Sequence, residues 1–195
     1  MIMSSELPPE EPPAAGRPDR RADARRNQER VFTAAVEVFA ERGLEATVPE
    51  IAARAGVGKA TVYRSYPAKA DLAEAVARHR LAWLAERMAA AARQPDAFTA
   101  LRDLLCDVSE QLSKDRLLVE VLPRARRWEE ENDISGLTEK LIAAAQRQGT
   151  LRPDATAQDI RVLVGGYSRV LIALDVRDPA QWRRYATLSL NALRP

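Results

Sequence analysis

Histidine and cysteine each occur once in this 195-residue chain, as His79 and Cys106. A single cysteine excludes an intramolecular disulfide, and one residue of each type excludes a Cys/His zinc cluster. Carboxylates clustered at facing positions are also missing, so general acid–base, nucleophilic or metal catalysis is hard to assemble. No enzymatic activity, metal or cofactor is expected. Long apolar runs are absent too: no stretch approaches the ~18 residues that span a bilayer. The opening MIMSSELPPEEPPAAGRPDRR lacks the apolar stretch of a signal peptide. These absences predict a soluble protein of the reducing cytoplasm, with no membrane contact. Lysine is scarce, at Lys59, Lys69, Lys114 and Lys140 among 30 basic residues, which reflects coding bias more than mechanism.

Net charge is nearly absent as well, 30 basic against 28 acidic residues. Its distribution is uneven. Positions 17 to 69 carry eleven Arg and Lys against seven Asp and Glu, a net of +4, whereas the rest from position 70 is close to balanced at +1. An anionic partner is therefore expected on the first third.

What the chain does have is helical periodicity, and nothing alternates with period two over a strand's length. Residues 1–24 are rich in Pro, Glu, Ala and Arg with few large apolar side chains, which predicts a disordered tail. From Asn27, the spacing of Val31, Ala35, Val38 and Phe39 predicts an amphipathic helix ended by Gly43. Thr47 and Glu50 then form a capping box with Pro49 in the first turn, so a second helix starts at Val48 and stops at Gly56. Gly56-Val57-Gly58 leads into a third helix carrying Val62 and Tyr66 inward and ended by Pro67. Further helices are expected over Ala68 to about Arg93, from Asp96 to about Lys114, Leu117 to about Arg126, Ile134 to Gln148, Asp154 to about Leu174, and Asp178 to Leu193. Residues 129–133 read as a loop.

Two short helices joined by a three-residue turn describe a helix-turn-helix, with the second as the recognition helix. The bland alternative is an αα-hairpin within a helical bundle. The stretches RVFTAAVEVFAERGLEATVPEIAARAGV and GVGKATVYRSYPAKADL resemble the TetR family of bacterial transcriptional repressors, most closely over residues 27 to 75. The segment GTLRPDATAQDIRVLVGGYSRVL and the closing WRRYATLSLNALRP resemble its last helices more loosely. Gly58 stands where Ser or Thr is common in that family, and Ser65-Tyr66 replaces a frequent His-Phe pair. The resemblance implies an all-α chain with a DNA-binding helix-turn-helix domain at 25–70 and a larger helical ligand-binding and dimerisation domain at 71–195. It implies phosphate contacts from Thr47, Tyr63, Ser65 and Lys69, with Tyr63 equally suited to a base edge. For base edges the candidates are Lys59, Ala60, Thr61 and Arg64, since Lys and Arg suit guanine while Ala and the Thr methyl suit the thymine methyl. Arg17, Arg20, Arg21, Arg25 and Arg26 either reach the DNA backbone or minor groove or are simply solvated.

In the larger domain, Trp83, Met88, Phe98, Leu101, Leu105, Cys106, Trp128 and Tyr167 sit on several helices and are expected around one apolar ligand cavity; ordinary core filling is the competing reading for each. Cys106 also reads as a small buried hydrophobe, and His79 as a surface or interface residue. The helix from Asp154 is apolar almost all round, so it must be covered on two sides. Gly165 and Gly166, with Trp182, Tyr185, Ser189 and Leu193 on the last helix, are expected in a homodimer interface of four-helix-bundle type. The expected function is a dimeric repressor of a palindromic double-stranded DNA operator, released by a small-molecule effector. The alternatives are an all-helical ligand-binding protein or enzyme that does not use its helix-turn-helix on DNA, and an architectural DNA-binding protein with no ligand.

Overall fold

The computed structural model describes residues 20–122 and 134–195, and among them there are nine α-helices and no strand. In chain order these are α1 (Arg20–Arg42), a short 3-10 turn (Gly43–Glu45), α2 (Val48–Ala55), α3 (Lys59–Ser65), α4 (Lys69–Ala91), α5 (Ala97–Lys114), α6 (Arg116–Val121), α7 (Ile134–Arg147), α8 (Ala157–Ala173) and α9 (Pro179–Asn191). None of the described helices is long and apolar enough to cross a membrane.

Residues 20–24 are a correction to the expected tail, because α1 begins at Arg20 rather than near Asn27. This first turn has no apolar stripe. It is laced instead by side chains three and four apart, Arg26 with Asp23 and Arg25 with Glu29, a weak but favourable helix arrangement. Arg17, and the side chains of Arg20 and Arg21, lie outside the described residues, as do Trp128 and the expected loop at 129–133.

Two buried clusters organise the molecule. The first joins α1, α2, α3 and the start of α4 through Val31, Ala35, Phe39, Ile51, Val62, Leu72 and Val76. The second joins the end of α4 with α5, α7, α8 and α9 through Leu84, Leu101, Leu112, Leu141, Val164, Trp182 and Leu190. Helix α4 runs through both. So does α6, in a shorter space: Leu117 belongs to the first cluster and its neighbour Leu118 to the second. Two polar ties hold α6 in that position. Buried Asp115 caps it by accepting from Leu118 N at 2.9 Å and pairs with Arg80 of α4 at 2.7 Å. Glu120 accepts from Leu44 N at 2.7 Å, closing α6 onto the turn after α1. Gly43 has a positive φ of 59° there, and a side chain at that position would collide with the Glu120 carboxylate.

Candidate nucleic-acid interface and cavity

The recognition geometry is set by caps. Glu50 N donates to Thr47 Oγ1 at 3.5 Å, and Thr47 N donates to Glu50 Oε2 at 2.9 Å, which is the reciprocal box the sequence displays. The Thr47 hydroxyl also donates to that carboxylate at 2.8 Å, and these bonds hold the Glu50 carboxyl below its ordinary range. Gly56 closes α2 in the left-handed region (φ 63°, ψ 39°), and Arg30 of α1 donates to its carbonyl at 3.4 Å. Gly58 starts α3 without any side-chain cap.

On α3 the one fully buried side chain is Val62. Lys59, Ala60, Tyr63 and Arg64 are exposed, Tyr63 to 49%, while Thr61 and Ser65 are half-buried. Neither Lys59 nor Arg64 has an ionic or hydrogen-bonding partner among the described residues. The Ser65 hydroxyl donates to Thr61 O at 3.4 Å. Lys69, at the start of α4, donates to Leu44 O at 2.9 Å, which leaves two of its three N–H donors for another acceptor. Thr47 is differently placed: its own donors are engaged by Glu50, so it acts on an anion through the helix end it closes.

A cavity of about 170 Å³ lies among α4–α8. Met88, Leu101 and Leu105 line it as expected residues do, together with Leu84, Leu104, Val108, Leu112, Val119, Leu122, Ile134, Leu141, Ile160 and Val164. Four expected residues do not line it. Phe98 carries the Arg194 guanidinium over its ring at 4.1 Å. Cys106 turns to α9, with Sγ 3.6 Å from Thr187 Oγ1. Tyr167 bonds Ser109, meets the Trp182 ring edge-on and stacks on Tyr185; burial pushes its phenol up to about 12. Trp83 is half-buried at the margin of the second cluster. Tyr167 thus fills the contact between α5, α8 and α9 with Trp182 and Tyr185, and mostly aliphatic residues line the void.

The polar lining was missed. Ser135, Thr138, Arg161, Ser168 and Arg169 all face the cavity, and the Ser168 hydroxyl is buried without a partner among the described atoms. The available signal was Arg161, Gly165 and Arg169 at four-residue steps, which puts them on one face of a helix read as apolar all round.

Two of the interface candidates belong to the core of the protomer. Trp182 is fully buried within the single chain, its Nε1 donating to Val176 O at 2.8 Å, and Leu193 is buried as well. Gly165 lines the cavity. Tyr185 and Ser189 are half-buried, and Gly166 is exposed. An i,i+4 stripe on the last helix describes core and interface equally well, and here it is core. Among the described residues of this larger region the exposed large aliphatic side chains are instead Val162, Val170 and Leu174 on and after α8, and Leu188 on α9. With Gly166 the α8 set falls at steps of four residues.

Two family profiles match the chain: bacterial regulatory proteins, tetR family, over residues 31–76, and the transcriptional regulator SbtR-like C-terminal domain over residues 82–195. Among curated proteins none matches. Among solved structures, the TetR transcription regulatory protein from Mycobacterium vanbaalenii is 30% identical, covering 90% of this chain and 99% of its own, with a TM-score of 0.53. A TetR transcriptional regulator from Streptomyces coelicolor is 28% identical over 86% of this chain and 98% of its own, TM-score 0.58. SmeT, the repressor of the Stenotrophomonas maltophilia multidrug efflux pump SmeDEF, shares the fold at 21% identity over 85% and 87% of the two chains, TM-score 0.64. The capped helix-turn-helix, the helical region behind it and profiles matching both halves lead to one assignment: the chain belongs to the TetR family of bacterial transcriptional regulators.

Proposed function

We propose that the chain is a homodimeric, sequence-specific repressor that binds a palindromic double-stranded DNA operator and is released by a small, largely apolar ligand. The observation that carries this reading is the outward face of α3, where Lys59 and Arg64 stand exposed, with no partner among the described residues, beside Ala60 and Tyr63. On this reading Lys59, Arg64, Ala60 and Thr61 contact base edges, while Tyr63, Ser65, Lys69 and the helix end at Thr47 hold phosphates. A second copy of the chain covers Val162, Gly166, Val170, Leu174 and Leu188, aliphatic surface that water otherwise meets. The dimer then presents two α3 helices, spaced by about 34 Å or a similar distance along the groove.

The switch runs through α4. Leu72 and Val76 fix one end of that helix in the first cluster, and Leu84 and Met88 line the cavity at the other. A ligand that prefers one tilt of α4 prefers one spacing of the two α3 helices, so ligand and operator oppose each other with a coupling of about 1–3 kcal/mol. Titration of the full-length protein onto the DNA immediately upstream of its own gene, followed by fluorescence anisotropy, tests the reading. Salt-sensitive binding that prefers one sequence over random duplex supports it; equal affinity for both defeats sequence-specific repression. No DNA binding at all favours the alternative of a ligand-binding protein or enzyme.

A further inference from the structure

We propose that the effector is a single-chain amphiphile with a singly charged anionic head, whose chain fills the α4–α8 cavity and whose head sits against Ser168 and Arg169. The inference rests on reading that cavity as the effector site, and it names the chemistry the site selects. Three observations converge on it.

First, the cavity wall is mostly aliphatic. Ser168 and Arg169 are consecutive on α8 and both face the void, with Ser135 and Thr138 on α7 and Arg161 near the start of α8 as its other polar residues. The Ser168 hydroxyl is buried and lacks a partner among the described atoms, a condition that native structures rarely leave unanswered. Arg169 makes no ion pair with any described residue. A hydroxyl and a guanidinium that border one void are two donors for one carboxylate or phosphoester head.

Second, Arg169 and Val119 also line a neighbouring cleft of about 420 Å³ between the turn after α1, α6 and α8. Its other charged walls are Arg42, Arg116, Glu45 and Glu120. Arg42 pairs with Glu50 at 2.9 Å, whereas Arg116 reaches Asp175 only at 3.8 Å. The cleft therefore favours one negative charge, and its two carboxylates disfavour a di- or triphosphate.

Third, size limits the chain. A volume of 170 Å³ is close to the ~150 Å³ of an apolar cavity that takes up benzene, which corresponds to a chain of about six to eight carbons. A head at Arg169 also lies beside the wall formed by Leu44 and Glu120, the pair that ties α6 to the recognition module.

The test is calorimetric titration of the full-length protein with octanoate, the singly charged diester methyl octyl phosphate, and 1-octanol. Octanoate or the phosphodiester is expected to bind about tenfold to a hundredfold more tightly than octanol, and the ratio of the two separates a carboxylate from a phosphoester head. Arg169→Gln, at an exposed position, should abolish that preference and leave octanol affinity unchanged; Ser168→Ala should reduce it by a smaller factor. Equal affinity for octanol and both anions, or no binding of any of them, overturns the assignment, and this comparison needs no variant. A loss of octanol and octanoate binding by equal factors in Arg169→Gln overturns it too. The operator titration is a separate readout. Anion preference without DNA binding sinks the repressor reading and keeps the ligand assignment, and specific DNA binding without anion preference does the reverse.

Discussion

Around α1–α3 the buried side chains form one cluster and α3 turns donors outward; around α4–α9 the interior holds a void and the outer face of α8 carries bare aliphatic side chains. The same helix chemistry builds both regions. Caps close both, as Thr47 and Glu50 do in the first and Asp96, Asp115 and the Thr156–Asp159 box do in the second. The difference lies in how much of each side-chain surface the single chain uses. The first region offers donors outward. The second leaves space inside and apolar surface outside.

The strongest way to break this comparison is at Trp182 and Val170. Trp182→Ala removes a fully buried indole and should cost the protomer about 3–5 kcal/mol in denaturant unfolding. Val170→Asp, at a side chain 56% exposed, should leave protomer unfolding unchanged and shift sedimentation from dimer to monomer. A dimer that survives Val170→Asp removes the α8 stripe from the interface.

A second contrast is on DNA. Lys59→Ala should cost about 1–3 kcal/mol at the preferred operator and relax preference at one base pair, whereas Lys69→Ala should weaken all sequences alike. Uniform losses in both would show that α3 positions the module without reading bases.

Packing gives a third. Ala35→Leu adds volume where no room exists and should destabilise the chain by about 1–3 kcal/mol. Leu104→Phe extends into the cavity and should change unfolding by less than about 1.5 kcal/mol while excluding ligand. Equal destabilisation by the two substitutions would mean that the void is not available to a side chain.

The smallest effect is at the caps. Thr47→Ala should cost about 1 kcal/mol. Because Thr47 lowers the Glu50 carboxyl, the contribution is full above the ordinary glutamate value of 4.5 and is lost as pH falls below it towards the lowered one. Unfolding measured across that acid range should be less pH-dependent in Thr47→Ala than in the parent.

Helix ends were legible because their signals are local. Thr47, Gly56, Asp96 and Asp178 announce caps within four residues of sequence, and each caps where expected. Asp154 does not, since Thr156 with Asp159 takes that role two residues later. Faces were less legible. The repeat on α9 that joins Trp182, Ala186 and Leu190 is a core stripe, but the same spacing would serve a dimer seam. Likewise, Tyr167 suggested a cavity wall, and packing instead gave it the contact between α5, α8 and α9. Such choices depend on which neighbours arrive, and no local pattern encodes that. The exposed α3 donors follow from the short helix itself: with Val62 turned inward, Lys59, Ala60, Tyr63 and Arg64 are left outside.

Leu117 carries a consequence for how this protein could be recombined. It belongs to the interior of the recognition module although 41 residues separate it from Val76, the last residue that α4 contributes there. A chimera that joins this module to a foreign sensing region at residue 70 would discard Leu117 along with Leu72 and Val76, and would strip the module of part of its own interior. The exchangeable unit is therefore discontinuous. A working hybrid needs the first third of α4 together with a sixth helix whose opening leucine fits the same place, and hybrids that restore this leucine should recover folding before any that optimise the splice itself.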